Sequence, residues 1–197
     1  FNDKSGMEFA NKTDGLWGLQ FDLPFLPWLN KVVAEYLVTM NQSGPMHFIL
    51  FDRDKWQGGR GGGNDDYYNN GEYTTGFSYF NRGIGSPLIP SPEYNTDGSL
   101  GFKNNRVKSW HFAAEGDINT QLSYRVLFTA MNGWGTSYFP FLNKKFGTSS
   151  LIDINYTHPK LQGWKFSGSV AADTGTMLGK SVGFSLGVTK TGILKAW

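Results

Sequence analysis

Apolar and polar residues alternate along several segments in the C-terminal half of the chain. In Leu122–Ala130 every second residue is apolar. The other face carries Ser123, Arg125, Leu127 and Thr129. The alternation recurs over 151–157, 164–172 and 182–189. A period of two predicts strands with one apolar and one polar face. Lengths of about nine to eleven residues suit tilted strands that cross a bilayer, and a soluble β-sandwich is the alternative interpretation.

The same criteria predict about nine strands over the whole chain and no amphipathic helix. Pro24 and Pro27 interrupt the one helical candidate near the N-terminus. The predicted strands are Leu16–Leu23, Val32–Met40, Met46–Phe51, Tyr73–Phe80, Arg106–Ala114, Leu122–Ala130, Leu151–Thr157, Trp164–Ala172 and Val182–Thr189.

The predicted connections alternate between long and short. Segments 81–105, 131–150 and 173–181 are long, while 115–121 and 158–163 are short. Outer-membrane barrels combine long external loops with short periplasmic turns, so this alternation favours a barrel. The glycine-rich segment 52–72 would then be periplasmic, where it is too long for a turn. Either Met46–Phe51 is not a spanning strand or this segment folds into the lumen.

An odd number of strands fits poorly with a closed single-chain barrel, and open strand edges are not tolerated in lipid. We therefore predict an all-β fold, an antiparallel transmembrane β-barrel, of which this chain is the C-terminal part. Residues 1–197 would form a single outer-membrane β-barrel domain that is incomplete at the N-terminus. The aromatic Trp197 behind an amphipathic strand suits an outer-membrane insertion signal.

Composition excludes several classes of protein. No apolar run approaches the ~20 residues of a membrane helix. The net charge of +2 is too small to indicate a nucleic-acid partner, and the chain contains no cysteine. Aromatic residues make up 16% of the chain, and there are 26 glycines. Aromatic rings suit the interfacial girdles of a barrel, and glycines suit curved sheets and tight turns.

Motifs for catalysis, phosphate binding and metal binding are missing. The run GGRGGG at 58–63 lacks the spacing of a phosphate loop. His47, His111 and His158 are scattered, and no nucleophile is paired with a base. The carboxylates of Asp52, Asp54, Asp65, Asp66 and Glu72 could gather around a calcium ion, but their spacing matches no EF-hand. The sequence therefore predicts a protein that is not an enzyme and has no cofactor or metal.

Two groups of side chains are candidates for function. Aromatic rings with amide and carboxylate groups in loops suit a sugar, whose CH faces stack on rings. The alternative is that these rings pack the loops or form the outer girdle. The predicted glycan-binding residues are Trp56, Asp65, Asp66, Tyr67, Tyr68, Trp134 and Tyr138. The predicted lumen-facing polar residues are Glu35, His111, Glu115, Arg125, Asp153 and Lys165.

Four stretches of the chain resemble a known family. They are EYLVTMNQSGP (35–45), DDYYNNGEYTTGFSYFNRGIGSPL (65–88), NNRVKSWHFAAEG (104–116) and KTGILKAW (190–197). Together they resemble the capsule assembly protein Wzi family, from about residue 32 onward. The resemblance implies a large, non-enzymatic outer-membrane barrel that helps to attach or assemble surface polysaccharide and behaves as a lectin. It transfers no ligand residue to this chain.

The expected function is association with capsular or other surface polysaccharide at the outer membrane of a Gram-negative bacterium. The expected partners are outer-membrane lipid, surface polysaccharide and other envelope proteins, with no nucleic acid. Three alternatives stay open: a porin-like solute channel, a barrel subunit of a larger cell-envelope complex, and a soluble β-sandwich lectin.

Overall fold

The computed structural model describes residues 13–42, 47–49, 60–62, 66–96 and 98–192, with the backbone alone at 47–49 and 60–62. Over these residues the chain is all-β, as predicted, and its regular elements are strands and one short 3-10 helix, Pro27–Leu29. None of the described residues belongs to a helix long and apolar enough to cross a membrane. Trp56, Asp65 and Trp197 lie outside the described residues.

Thirteen strands are present in the described part of the chain. They are β1 (Gly15–Asp22), β2 (Lys31–Val38), β3 (His47–Ile49), β4 (Arg60–Gly62), β5 (Ser78–Tyr79), β6 (Arg82–Gly83), β7 (Glu93–Tyr94), β8 (Leu100–Gly101), β9 (Val107–Asn119), β10 (Leu122–Gly135), β11 (Pro140–Thr157), β12 (Trp164–Gly175) and β13 (Ser181–Lys190).

Seven of the strands form one antiparallel sheet in the order β1-β2-β9-β10-β11-β12-β13. Over the described residues this sheet is open, with β1 and β13 at its edges. The six short strands form three separate pairs, β3 with β4, β5 with β6, and β7 with β8. The chain therefore has a large antiparallel sheet, as an all-β barrel requires, while closure of that sheet remains a prediction.

The described residues fall into two compact units. The first unit contains the described residues of Phe1–Leu16, Leu37–Ser109 and Asn132–Lys145. The second contains the described residues of Trp17–Tyr36, Trp110–Met131 and Phe146–Trp197.

The second unit is built on the alternation seen in the sequence. In the register of β11, β12 and β13, Ile152 pairs with Val170, which pairs with Phe184. These three side chains are 51%, 56% and 82% exposed. The neighbouring residues point to the opposite face, where Ser169 and Ser185 share a hydrogen bond of 2.8 Å between their hydroxyls. The sheet thus leaves its apolar face uncovered and makes hydrogen bonds on its polar face.

The first unit has a small core that is largely polar. Among its described residues, the buried apolar core contains Val38, Ile89, Phe102 and Val107. Its buried polar residues are Thr39, Gln42, Asn104, Asn105, Ser109 and Thr136. A buried polar group is costly unless it is hydrogen-bonded, and the side chains of Thr39, Asn104 and Thr136 bond to backbone groups. The Thr39 hydroxyl, for example, donates to the Asn105 carbonyl at 2.6 Å and accepts from the Val107 amide at 2.9 Å.

The turn after β2 is fixed by one carboxylate. Asp14 accepts hydrogen bonds from the backbone amides of Met40, Asn41 and Gln42. Gln42 has a positive φ of 49°, a left-handed conformation that is typical of turns. The three amides that leave the β2 ladder are satisfied by a single side chain.

The predicted alternation of long and short connections is wrong in the C-terminal half. β10 continues to Gly135 and β11 begins at Pro140, so only residues 136–139 connect them instead of 131–150. The predicted connections 115–121 and 173–181 shrink to 120–121 and 176–180, while residues 158–163 connect β11 and β12 as predicted. The extended parts include exposed residues such as Asn143 and Lys144, which break the apolar alternation. Strand pairing requires only backbone hydrogen bonds, so the ladder continues where the side-chain pattern ends.

Two predicted strands of the N-terminal half are also wrong or incomplete. Within Tyr73–Phe80 only Ser78–Tyr79 is a strand, because the chain turns at Gly76, whose φ is +61°. Of Met46–Phe51, His47–Ile49 is described, and it pairs with Arg60–Gly62 outside the large sheet. This pairing favours the alternative that Met46–Phe51 is not a spanning strand.

Candidate functional site

Three segments of the first unit surround a cavity of about 830 Å³, here called the loop cavity. The segments are 66–74, 95–103 and 136–141. The side chains that line it are mainly amides, hydroxyls and aromatic rings. Its lining includes Asp66, Asn69, Asn70, Thr74, Asn95, Thr96, Ser99, Phe102, Lys103, Thr136, Tyr138, Phe139 and Phe141.

Asn69 joins the first two walls of the loop cavity. Its side-chain oxygen accepts from the Phe102 amide at 2.8 Å, and its Nδ2 donates to the Phe102 carbonyl at 3.0 Å. The side chain therefore pairs with Phe102 as a neighbouring strand would. Asn69 Nδ2 also donates to Asp66 Oδ2 at 2.7 Å, which orients that carboxylate at the cavity. Phe102 itself is only 2% exposed, so this wall is anchored in the core.

The third wall is the turn that connects β10 and β11. Thr136 Oγ1 accepts from the Phe139 amide at 2.9 Å, and Gly135 adopts a φ of +81°. A β-carbon on Gly135 would lie 2.6 Å from the Phe139 carbonyl oxygen, so the turn requires glycine there. The turn presents Tyr138 and Phe139, which are 53% and 81% exposed. These rings offer flat apolar faces beside the polar walls.

The buried side-chain amide of Gln42 contacts the same turn. The Ser137 hydroxyl donates to Gln42 Oε1 at 3.3 Å, and Gln42 Nε2 donates to Asn105 Oδ1 at 3.0 Å. Gln42 and Asn105 are both fully buried. The position of Tyr138 therefore depends on a polar network that fixes the neighbouring residue.

The predicted glycan-binding residues separate into two sets. Asp66 and Tyr138 line the loop cavity. The Tyr67 hydroxyl donates to the Gln42 carbonyl at 2.6 Å, and Tyr68 packs its ring 5.0 Å from that of Phe102. These two tyrosines hold the loops together. Trp134 lies on β10, and not in a loop as predicted, with Lys108 Nζ 5.8 Å from its ring centroid.

Sequence reasoning missed several lining residues. The sequence alone does not identify Asn69 or Lys103 as site residues, although Asn69 belongs to a stretch that carries the family resemblance. Asn95 was missed as well, and its Nδ2 donates to Ser99 Oγ at 2.8 Å. The signal that could have found them is the density of Asn, Ser and Thr in two loops that each contain aromatic residues.

The predicted lumen-facing residues lie along the polar face of the second unit. Arg125 forms an ion pair with Asp153, and its Nε lies 3.1 Å from Asp153 Oδ2. Glu115 pairs with Lys31 at 3.0 Å, and His111 Nδ1 lies 2.8 Å from the Thr129 hydroxyl.

The two remaining predicted residues can also be located. Glu35 packs beside Gly18, and Lys165 pairs in register with Thr157.

This polar face contains a groove of about 530 Å³. Its lining includes Glu115, Asp117, Arg125, Asp153 and Asn155. Three of these residues carry carboxylates and Arg125 carries the positive charge, and the ion pairs of Glu115 and Asp153 neutralise part of the acidic charge. The groove can hold water and small polar solutes. Over the described residues, no three His, Asp or Glu side chains are grouped so that they could hold a metal ion.

In comparisons with known proteins, no protein-family model, no curated protein and no solved structure matches this chain.

Proposed function

We propose that this protein is a non-enzymatic outer-membrane β-barrel that binds surface polysaccharide. The observation that carries the proposal is the loop cavity, where the exposed rings of Tyr138 and Phe139 adjoin amides and hydroxyls. A sugar ring has apolar CH faces and a fixed set of hydroxyls, so it is recognised by stacking together with directional hydrogen bonds. The volume of about 830 Å³ is large enough for a short oligosaccharide.

The membrane assignment is supported by the apolar face of the second unit. Leu186, Phe184 and Val182 are 85%, 82% and 78% exposed, and they lie on the same face of β13. Soluble proteins rarely expose so large a contiguous apolar surface, whereas a barrel exposes one to lipid. Further strands would close the sheet, because open edges are not tolerated in a bilayer. The resemblance to the Wzi family agrees with this assignment and with an outer-membrane location.

The proposal is tested by removing the two rings of the loop cavity together. The variant Tyr138→Ala with Phe139→Ala should lower retention of surface polysaccharide on cells at least tenfold, while barrel abundance stays constant. The matched control is Tyr79→Ala with Phe80→Ala. That pair is also adjacent in sequence and exposed, at 69% and 84%, but does not line the cavity. Unchanged retention in the first variant would refute binding at the loop cavity.

A second candidate is a porin-like solute channel, which the polar groove of the second unit favours. Arg125 and Asp153 would then lie along the solute path. Arg125→Ala would change solute flux through the protein and leave polysaccharide retention intact. Altered flux in Arg125→Ala, combined with normal retention in the ring variant, would favour the channel over the polysaccharide-binding function.

A further inference from the structure

Resting on the proposed function, we propose that the loop cavity selects an acidic sugar residue, whose carboxylate pairs with the Lys103 ammonium while neighbouring sugar rings stack on the Tyr138 wall. Three features support this ligand class: the way Lys103 is held, the charges around it, and the amides and hydroxyls of the other walls.

Lys103 extends from a rigid segment. Phe102, which precedes it, is buried and bonded through both its amide and its carbonyl to Asn69. Asn104 and Asn105, which follow it, are 5% and 0% exposed. The Lys103 backbone is therefore fixed on both sides, and Lys103 is a half-buried residue of the cavity lining. Such an anchored stem loses less conformational freedom on binding than a lysine on a mobile loop.

Within the described residues, Lys103 forms no ion pair. Across the described residues the ion pairs are Lys31 with Glu115 and Arg125 with Asp153, and both belong to the second unit. Asp66 is the one carboxylate among the described lining residues, and it already accepts a hydrogen bond from Asn69. A ligand carboxylate at Lys103 would therefore gain a charge-assisted hydrogen bond that displaces no existing ion pair.

The remaining walls suit the neutral parts of a sugar. Asn70, Asn95, Thr96 and Ser99 carry amides and hydroxyls, which serve sugar hydroxyls as donors and acceptors. Since none of these groups distinguishes a carboxylate from its ester, the charge preference of the cavity rests on Lys103. A neutral glycan would still stack and form hydrogen bonds, but it would leave the ammonium solvated.

A matched pair of probes isolates the charge. Tetragalacturonate and its fully methyl-esterified form have the same rings and hydroxyls but differ in carboxylate charge. We expect the purified full-length protein in detergent to bind the acid about tenfold more tightly at low salt by calorimetry. Salt screens exposed charges, so raising the salt concentration to about 0.5 M should remove most of the preference for the acid over the ester.

Variants then assign the preference to a residue. Lys103→Gln should make the affinities for acid and ester nearly equal, chiefly because the acid binds less tightly. Lys103→Arg should retain the preference for the acid. Lys160→Gln is the control, since Lys160 is an exposed cation of the second unit outside the cavity. Folding of each variant is checked by heat-modifiable migration on gels, so that a loss of structure is not taken for a loss of charge.

Each outcome decides the proposal. Equal affinity of the wild-type protein for acid and ester overturns the acidic ligand, while the ring variant still tests polysaccharide binding by itself. A preference that survives in Lys103→Gln overturns the role of this residue. If the wild-type protein binds neither oligomer, the proposed uronic-acid ligand is overturned. If the ring variant also retains polysaccharide normally, the proposed polysaccharide function is overturned too.

Discussion

Replacing Val170 by Arg distinguishes a lipid-facing sheet from one that faces water. Val170 lies at the centre of β12, between Ile152 and Phe184 in the register, and its side chain is 56% exposed. The matched control is Ser169→Arg, one residue earlier in the same strand. It points to the opposite face, where Ser169 pairs in register with Asp153.

The expected cost differs between the two environments. Full burial of a valine contributes about 1.5–3 kcal/mol, so in water the half-exposed Val170 would lose roughly 1 kcal/mol. A bilayer adds about 2–4 kcal/mol for an arginine near its midplane. Ser169→Arg loses one hydroxyl hydrogen bond, worth about 1 kcal/mol, and places its guanidinium near a carboxylate. The lipid-facing assignment thus predicts a difference of about 2–4 kcal/mol between the two variants, or roughly thirty- to nine-hundredfold in the folding equilibrium constant.

The assay is urea unfolding of the full-length protein in lipid vesicles, followed by tryptophan fluorescence. Val170→Arg should shift the midpoint to lower urea by clearly more than Ser169→Arg does, with unchanged slope. Equal midpoints for the two variants would refute the lipid-facing assignment, because the two positions differ chiefly in the face they occupy.

The remaining predictions concern individual contacts. Gln42→Leu should lower the free energy of unfolding by about 1–3 kcal/mol, because a fully buried amide no longer donates to Asn105; a loss below about 0.5 kcal/mol in urea denaturation would contradict the buried network. Gly135→Ala should cost at least ~1 kcal/mol through its positive φ and the steric conflict described above, and an unchanged Tm would show that the turn relaxes. Thr129→Val keeps the shape but removes the hydroxyl beside His111, so the NMR shift of His111 Nδ1 should move; an identical shift would exclude that hydrogen bond.

The sequence predicted the strands of the second unit well, because alternation there reflects a real difference between two faces. Leu122–Ala130 and Val182–Thr189 both lie inside observed strands, β10 and β13. The predicted strand ends were wrong where the alternation of apolar and polar residues stops but the backbone pairing continues. β11 begins at Pro140, eleven residues before the predicted start at Leu151. Side-chain pattern reports the environment of a strand and not the full extent of its ladder.

The candidate site was predicted less completely, because its walls depend on contacts distant in sequence. Tyr138 was selected as an exposed ring, and it does line the loop cavity. Trp134 was assigned to the same loop, but it lies on the extended strand β10. The link between Asn69 and Phe102 spans 33 positions and replaces a backbone pairing with a side chain. No local pattern encodes such a link, so the placement of Lys103 beside it emerges only in the folded structure.

The carboxylate of Asp14 has a consequence for local opening of the chain. The amides of Met40, Asn41 and Gln42 belong to a turn, where exchange with deuterated solvent would ordinarily be fast. Because one side chain accepts all three, they are released together or not at all. Deuterium uptake at these positions should therefore occur as one cooperative step, and it reports how often the segment that carries Asp14 detaches from the turn that supports Tyr67 and Gln42.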